Sequence, residues 1–244
     1  MRLDCATSLV DWNRFVYPWS HPHMRRDFTS ADLWRILSRN RYEGCIVSAF
    51  TGQMGETEWL LEQAATQPWI RGVIGAPAPG VCAVRRRFPE IDEVSGPIDL
   101  VIAPEQLGEA RTHLKGRRVA LVNNGGAAYS AGEFAVWSRG MAALAQEPQV
   151  LVKVAGLING AGVDRWDARV YRPYIQFLLE AFGPERLMYG SDWPQCMQAG
   201  TWKESMAAFT QALGAQTQQT RDLILGANAN RFYGLSGGAS HERS

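Results

Sequence analysis

Short apolar segments alternate with longer amphipathic segments along most of this 244-residue chain. The apolar segments are nearly continuous in Val, Ile and Leu, as expected for strands of a parallel sheet covered on both faces. We predict strands at Arg2–Ala6, Gly44–Phe50, Ile70–Gly75, Ile98–Ala103, Arg117–Asn123, Gln149–Gly156 and Arg186–Gly190. The amphipathic segments predict a helix after the N-cap candidates Thr29 and Ser30, and further helices at Gly55–Gln67, Glu105–Leu114, Gly132–Gln146, Val170–Phe182 and Trp202–Leu213.

The repeated strand–helix units favour a (β/α) barrel over an open doubly wound sheet in a chain of this length. No glycine-rich phosphate-binding fingerprint follows the first strand, which argues against a dinucleotide-binding fold. We therefore predict one barrel domain over residues 1–235 and a polar, disordered tail over residues 236–244.

The composition is that of a globular protein, with 46% hydrophobic residues and a net charge of +1. It indicates neither a nucleic-acid nor a membrane partner, and the basic run Arg85–Arg87 is too short to form a binding tail. The apolar runs are too short to span a membrane, and the N-terminus lacks the apolar block of a signal peptide. The four cysteines show no CxxC spacing; two disulfides are possible, but reduced thiols in a cytoplasmic protein are the favoured interpretation.

Several motifs, in order along the chain, resemble the amidohydrolase-related family. They are YPW (17–19), RRDF (25–28), GETEWLLEQA after the second strand, VKVAGL (152–157), RPYIQFLLEAFGPERLMYGSDWP (172–194) and ILGANANRFYGL near the C-terminus. The nearest branch is that of lactonases such as L-fuconolactonase and 2-pyrone-4,6-dicarboxylate lactonase. The resemblance implies a distorted (β/α)8 barrel with its active site at the carboxyl ends of the strands.

This chain departs from the family pattern at the positions that usually bind metal. The His-x-His pair after the first strand is replaced by Ala6 and Ser8, and a later histidine by Asn124 or its neighbour Asn123. The terminal aspartate is kept as Asp192. The chain is also short between residues 76 and 97, where we expect a helix, or a whole β/α unit, to be missing.

A catalytic zinc site needs about three His, Asp or Glu ligands and an open position, and Asp192 alone does not provide one. We therefore predict an enzyme without a metal or other cofactor. A site formed by His21, His23 and Asp192 is the alternative, although two histidines in one loop are more often solvated or packed.

Asp192 follows a strand, where a barrel places its catalytic groups, and we predict that it is a general acid or base. Substrate-binding candidates are Asn124, Asn123, Lys153, Ser48, Arg85, Tyr17 and Trp193. Each has a structural alternative. Asn-Asn-Gly-Gly is an ordinary turn sequence, and aromatic residues often anchor loops. For Lys153 three placements are open: facing a polar pocket, pairing with Asp192, or reaching out at a strand end.

Three functions are compatible with these residues. The first is a metal-independent, lactonase-type hydrolase of a small carbonyl- or carboxylate-bearing metabolite. The second is a non-hydrolytic cyclase, isomerase or lyase of small-molecule biosynthesis on the same scaffold, and the third is a non-catalytic descendant that binds a small molecule or a partner protein. A barrel lacking a helix exposes an apolar flank, so a homodimer is a further possibility.

Overall fold

The computed structural model describes residues 1–19, 21–91, 94–129, 132–160 and 166–235, so the predicted disordered tail lies outside the described residues. Eight parallel strands form one sheet in which each strand pairs with the next along the chain. They are β1 Leu3–Thr7, β2 Gly44–Ser48, β3 Ile70–Gly75, β4 Ala83–Arg87, β5 Ile98–Val101, β6 Val119–Leu121, β7 Val150–Val154 and β8 Leu187–Tyr189.

The sheet curls into a nearly closed barrel, because the first and last strands meet at their carboxyl ends. The amide of Ser8 donates to the carbonyl of Trp193 at 2.8 Å, and the amide of Asp192 donates to the carbonyl of Ala6 at 2.9 Å. Gly190 permits this approach: a Cβ at that position would lie 2.3 Å from the Cβ of Ala6. The predicted (β/α) barrel is confirmed.

Helices surround the barrel. They are α1 Ser30–Arg39, α2 Glu56–Thr66, α3 Leu107–Leu114, the short turn α4 Asn123–Gly126, α5 Phe134–Ala145, α6 Leu157–Gly160, α7 Ala168–Phe182, α8 Trp202–Leu213, α9 Gln218–Asp222 and α10 Asn228–Tyr233. Thr29 is the N-cap of α1 and forms a capping box with Asp32. Among the described residues, no helix has the length and apolar character needed to cross a membrane.

The shortened region has kept its strand and lost its helices. β4 pairs with β3 on one side and β5 on the other, so the suggestion that a whole β/α unit is missing is wrong. No helix follows β3 or β4 in the described residues 76–82, 88–91 and 94–97. The sequence pattern did not predict β4 because its second half is Arg85–Arg87, whereas barrel strands are usually apolar.

Inward-facing side chains of the strands fill the barrel interior at the end where the strands begin. Leu3, Cys5, Ile46, Ile74, Ala120 and Met188 pack there against Phe232 and Tyr233 of α10. The C-terminal helix therefore plugs the end of the barrel where the strands begin, and the opposite end is left for a functional site. All four cysteines are free thiols.

Candidate active site at the carboxyl ends of the strands

A small cavity of about 70 Å³ lies at the carboxyl ends of the barrel strands. Five of the predicted site residues line it: Ser48 from β2, Arg85 from β4, Asn123 after β6, Lys153 from β7 and Asp192 after β8. These residues are far apart in the sequence. The barrel brings them together because parallel strands present their carboxyl ends on the same side.

Asp192 is a half-buried residue whose side chain lines this cavity. Its φ is 60°, a left-handed conformation that aspartate tolerates better than most residues. Oδ2 accepts a hydrogen bond from Nδ2 of Asn159 at 2.6 Å. Burial raises the pKa of Asp192 to about 7, although the hydrogen bond from Asn159 and the charge of Arg85 oppose the increase. This carboxyl can therefore gain or lose a proton near neutral pH.

Lys153 and Asp99 form a buried ion pair that contributes to the cavity floor. The Lys153 Nζ lies 2.6 Å from Oδ2 of Asp99, and each side chain is 1% exposed. The other carboxylate oxygen of Asp99 accepts from the hydroxyl of Tyr233 at 2.6 Å. Of the alternatives for Lys153, the polar pocket is the observed one, and its partner is Asp99 rather than Asp192.

Asn123 and Asn124 lie in the left-handed turn α4, where φ is 49° and 57°. Asn123 lines the cavity. Asn124 is fully buried away from it, and its Nδ2 donates to the carbonyl of Ala155 at 2.8 Å and to the hydroxyl of Tyr129. The carbonyl of Asn124 accepts from Nε1 of Trp137 at 2.7 Å. The structure therefore places Asn123, and not Asn124, where a substrate contact was expected.

Tyr17 and Trp193 are buried beside the cavity and do not line it. The ring of Tyr17 stacks on Trp19 at 5.0 Å and on Phe50 at 6.4 Å, and it is Phe50 that reaches the cavity. Trp193 packs edge-on against Phe28 at 5.6 Å. These aromatic residues support the wall from behind, as the structural alternative anticipated.

The sequence analysis did not indicate several polar residues of the site, among them Asp99, Gln195 and Asn159. Gln195 lines the cavity at 6% exposure, and its Oε1 has no hydrogen-bond partner in the described part of the chain. Asn159 holds the carboxylate of Asp192. Gln195 lies three positions after Asp192 in a short helical turn, and no sequence pattern indicated it. Asn159 lies shortly after the VKVAGL segment, which contains the end of β7. Its position after a strand end was the signal available in the sequence.

A model of the amidohydrolase family matches residues 106–235, more than half of the chain, and the chain belongs to this family. It is 27% identical to an L-fucono-1,5-lactonase of Burkholderia ambifaria, over 88% of this chain and 85% of that protein. An L-fucono-1,5-lactonase of Burkholderia multivorans is 34% identical over 104 residues, which are 41% of this chain and only 35% of that protein.

The fold is shared with solved structures of lower identity. An amidohydrolase of Burkholderia multivorans with bound zinc superposes with a TM-score of 0.84 at 22% identity, over 97% of this chain and 100% of that one. A putative 2-pyrone-4,6-dicarboxylic acid hydrolase of Pseudomonas putida gives 0.77 at 16% identity, over 97% and 98%.

The residues of this cavity do not fit the zinc that one of these relatives holds. Among the described residues, no three His, Cys, Asp or Glu side chains are placed to hold a metal ion. Ala6 offers no donor, and the Ser8 hydroxyl donates to the carbonyl of Ser48 at 3.0 Å. His21 and His23 are exposed, their rings lie 5.6 Å apart, and neither lines the cavity. The donor set is thus the carboxylate of Asp192 and that of Asp99, which is already paired with Lys153, together with amides and hydroxyls, and this is not the set that zinc prefers.

Proposed function

We propose that this protein is a metal-independent, lactonase-type hydrolase of a small carbonyl- or carboxylate-bearing metabolite, with Asp192 as its general base and acid. The observation that carries the proposal is a carboxyl with a pKa of about 7 in a cavity that also contains a cation and an amide. A general base is most effective when its pKa lies near the working pH. The resemblance to L-fucono-1,5-lactonases supports the substrate class.

In the proposed reaction, the Asp192 carboxylate takes a proton from water as that water attacks the lactone carbonyl carbon. Negative charge then develops on the carbonyl oxygen, and the guanidinium of Arg85 and the amide of Asn123 are the cavity groups suited to stabilise it. When the ring C–O bond breaks, the protonated Asp192 returns its proton to the departing oxygen. Asn159 acts as a positioning residue, because its hydrogen bond fixes the orientation of the carboxylate.

Lactone hydrolysis in metal-free buffer tests this proposal. L-fucono-1,5-lactone is the first candidate substrate, followed by other small lactones with and without a carboxylate. We expect substoichiometric zinc, manganese and iron by elemental analysis, and a rate that chelators leave unchanged. A stoichiometric metal whose removal abolishes activity, and whose return restores it, would contradict the proposal.

Asp192→Asn should lower kcat by roughly 10²–10⁴-fold, the usual contribution of general acid–base catalysis. In the wild type, kcat/KM should rise with pH through about 7, as the carboxyl loses its proton and becomes a base. Asp222→Asn is the matched control, since Asp222 is exposed at the end of α9, where its carboxylate accepts a hydrogen bond from Gln218. Wild-type turnover by Asp192→Asn would show that the aspartate has no catalytic role.

A non-hydrolytic reaction is the second candidate, and the same cavity chemistry favours it. Without a metal-bound water, a single carboxyl that exchanges protons near neutral pH is equally suited to move a proton within a substrate, as an isomerase or lyase requires. Incubation of isomerisable hydroxy acids in deuterated water distinguishes the two. Asp192-dependent incorporation of deuterium, with no lactone hydrolysed, would favour this second candidate.

A further inference from the structure

A groove of about 260 Å³ adjoins the active-site cavity over the ends of β2 to β5. Phe50 and Arg85 line both spaces, so the groove is a lateral extension of the cavity rather than a separate pocket. Its other walls include Thr51 after β2 and Val101 at the end of β5. A ligand held beside Asp192 can therefore continue past Phe50 into this groove.

The groove follows from the shortened part of this chain. In a regular barrel each strand is followed by a loop and a helix, and these loops cover the carboxyl ends of the strands. Here the described connections after β3 and β4 contain no helix. The side chains of β4 are thereby left as one wall of the open groove.

That wall consists of three consecutive arginines, Arg85, Arg86 and Arg87. Arg85 and Arg86 are half-buried and Arg87 is exposed. None of the three forms an ion pair in the described ranges, where Arg86 Nη1 donates to the carbonyl of Arg85 at 3.0 Å. The described lining of the groove contains no carboxylate. In the described ranges the groove is therefore lined by cations without a carboxylate counter-ion, which favours an anionic ligand.

The backbone amides beside the groove are not available to bind such an anion, because they already donate to another carboxylate. The buried Glu56 carboxylate accepts from the amides of Phe50, Thr51 and Gly52 and from the Thr51 hydroxyl, at distances from 2.8 to 3.2 Å. These donors are already used, and they hold the loop at the groove edge in place. The guanidinium groups remain as the donors, and they suit the two oxygens of a carboxylate or phosphate.

We propose that the Arg86–Arg87 groove binds an anionic group, a carboxylate or a phosphate, of a substrate whose reacting carbonyl occupies the adjoining cavity. The placement of the carbonyl rests on the proposed function, whereas binding of the anion does not. The substrate is then an acid long enough to pass Phe50. With a net charge of only +1, the whole protein provides no broad positive field, so the attraction is local to these arginines.

Isothermal titration calorimetry with citrate tests the anion site, and triethyl citrate serves as a neutral probe of the same skeleton. We expect citrate to bind and triethyl citrate to bind at least about 10-fold more weakly, because it cannot accept charge-assisted hydrogen bonds. Arg86→Gln with Arg87→Gln should weaken citrate binding by at least about 10-fold. Arg87→Gln alone should weaken it in the same direction, and removing this exposed side chain leaves the fold intact.

Arg39→Gln with Arg139→Gln is the matched control. It removes two exposed helical arginines outside the groove and changes the net charge equally. We expect less than about 2-fold change in citrate affinity, as for charges screened by solvent and salt. Equal losses in both double variants, equal binding of citrate and its triester, or binding of neither citrate nor inorganic phosphate would each overturn the proposal.

Inorganic phosphate distinguishes the two kinds of anion. Arginine-dependent binding of phosphate that is tighter than that of citrate supports a phosphorylated substrate, and the reverse supports a carboxylated one. The Asp192→Asn protein separates this proposal from the proposed reaction. It should bind citrate with unchanged dependence on Arg86 and Arg87, even if its turnover shows that Asp192 is not the catalytic base.

Discussion

Replacing Asp192 by asparagine should stabilise the folded protein, and increasingly so as the pH rises. The folded-state pKa of about 7 lies roughly three units above the ordinary value of 3.8. The folded state therefore binds this proton more tightly than the unfolded chain does. By linkage, the carboxyl contributes no penalty well below pH 3.8, and it destabilises progressively as the pH rises from about 4 to about 7.

The magnitude follows from the shift. At about 1.36 kcal/mol per pKa unit, ionised Asp192 costs about 4 kcal/mol of unfolding free energy above pH 7. At pH 5 the same relation gives a cost of about 2 kcal/mol, so the advantage of the asparagine variant should grow by about 2–3 kcal/mol between pH 5 and pH 8. For a chain of this size that corresponds to an additional increase in Tm of about 5–10 °C.

Asparagine is the suitable replacement because the backbone at Asp192 is left-handed, with φ at 60°. Asparagine tolerates this region, whereas alanine would add strain of its own. The assay is urea unfolding of wild type and variant at pH 5, 6, 7 and 8. The informative quantity is the difference between the two proteins at each pH, since the other ionisable groups contribute equally to both.

Asp32→Asn provides a control of opposite sign. Partial burial of Asp32 would raise its pKa, but hydrogen bonds from the backbone amide and hydroxyl of Thr29 outweigh it and leave the pKa lowered. This carboxylate stabilises the folded state above its unfolded pKa, and the stabilisation is lost as the pH falls through the lower folded pKa. Its replacement should therefore destabilise the protein at neutral pH. A stability difference between Asp192→Asn and wild type that is constant with pH, or negative at pH 8, would refute the reasoning.

Three further substitutions concern buried residues that support the site, and their effect on the free energy of unfolding is measured by chemical denaturation. Lys153→Met should destabilise by about 3–5 kcal/mol because Asp99 is left buried and unpaired, and adding Asp99→Leu should recover most of this loss. Glu56→Gln should cost about 1–3 kcal/mol, since an amide cannot accept all the bonds that fix the loop beside the cavity. Gly190→Ala should cost at least about 1–3 kcal/mol, because its Cβ would clash with Ala6 of β1. Gly108→Ala is the control: Gly108 lies in α3, a Cβ there would have no atom within 4 Å, and the change should be neutral or stabilising.

The placement of the catalytic candidate was predictable from local sequence. An apolar run that ends in a polar residue indicates a strand end, and in a parallel barrel such ends face one cavity. This reasoning applies to Asp192 and to Ser48, which both line the cavity. The strand-end reasoning does not require knowledge of which residues are in contact in the folded protein.

The residues that differ from prediction are those whose partners come from other elements. Whether Asn123 or Asn124 faces the cavity depends on the left-handed turn, and that turn is held by contacts with Ala155, Tyr129 and Trp137. Trp193 was expected at the cavity and packs instead on Phe28, from a distant segment. Adjacent residues point to different sides, so a shift of one position exchanges a site residue for a structural one.

The sequence by itself determined the strand–helix alternation, the barrel and the polar residue at the end of the last strand. Each depends on residue type and short-range periodicity. Only the tertiary structure decided that Asp99 is the partner of Lys153, that Asn159 holds Asp192, and that the arginines of β4 line an open groove. These depend on the register between strands and on the packing of distant segments, which bring together residues that no local pattern connects.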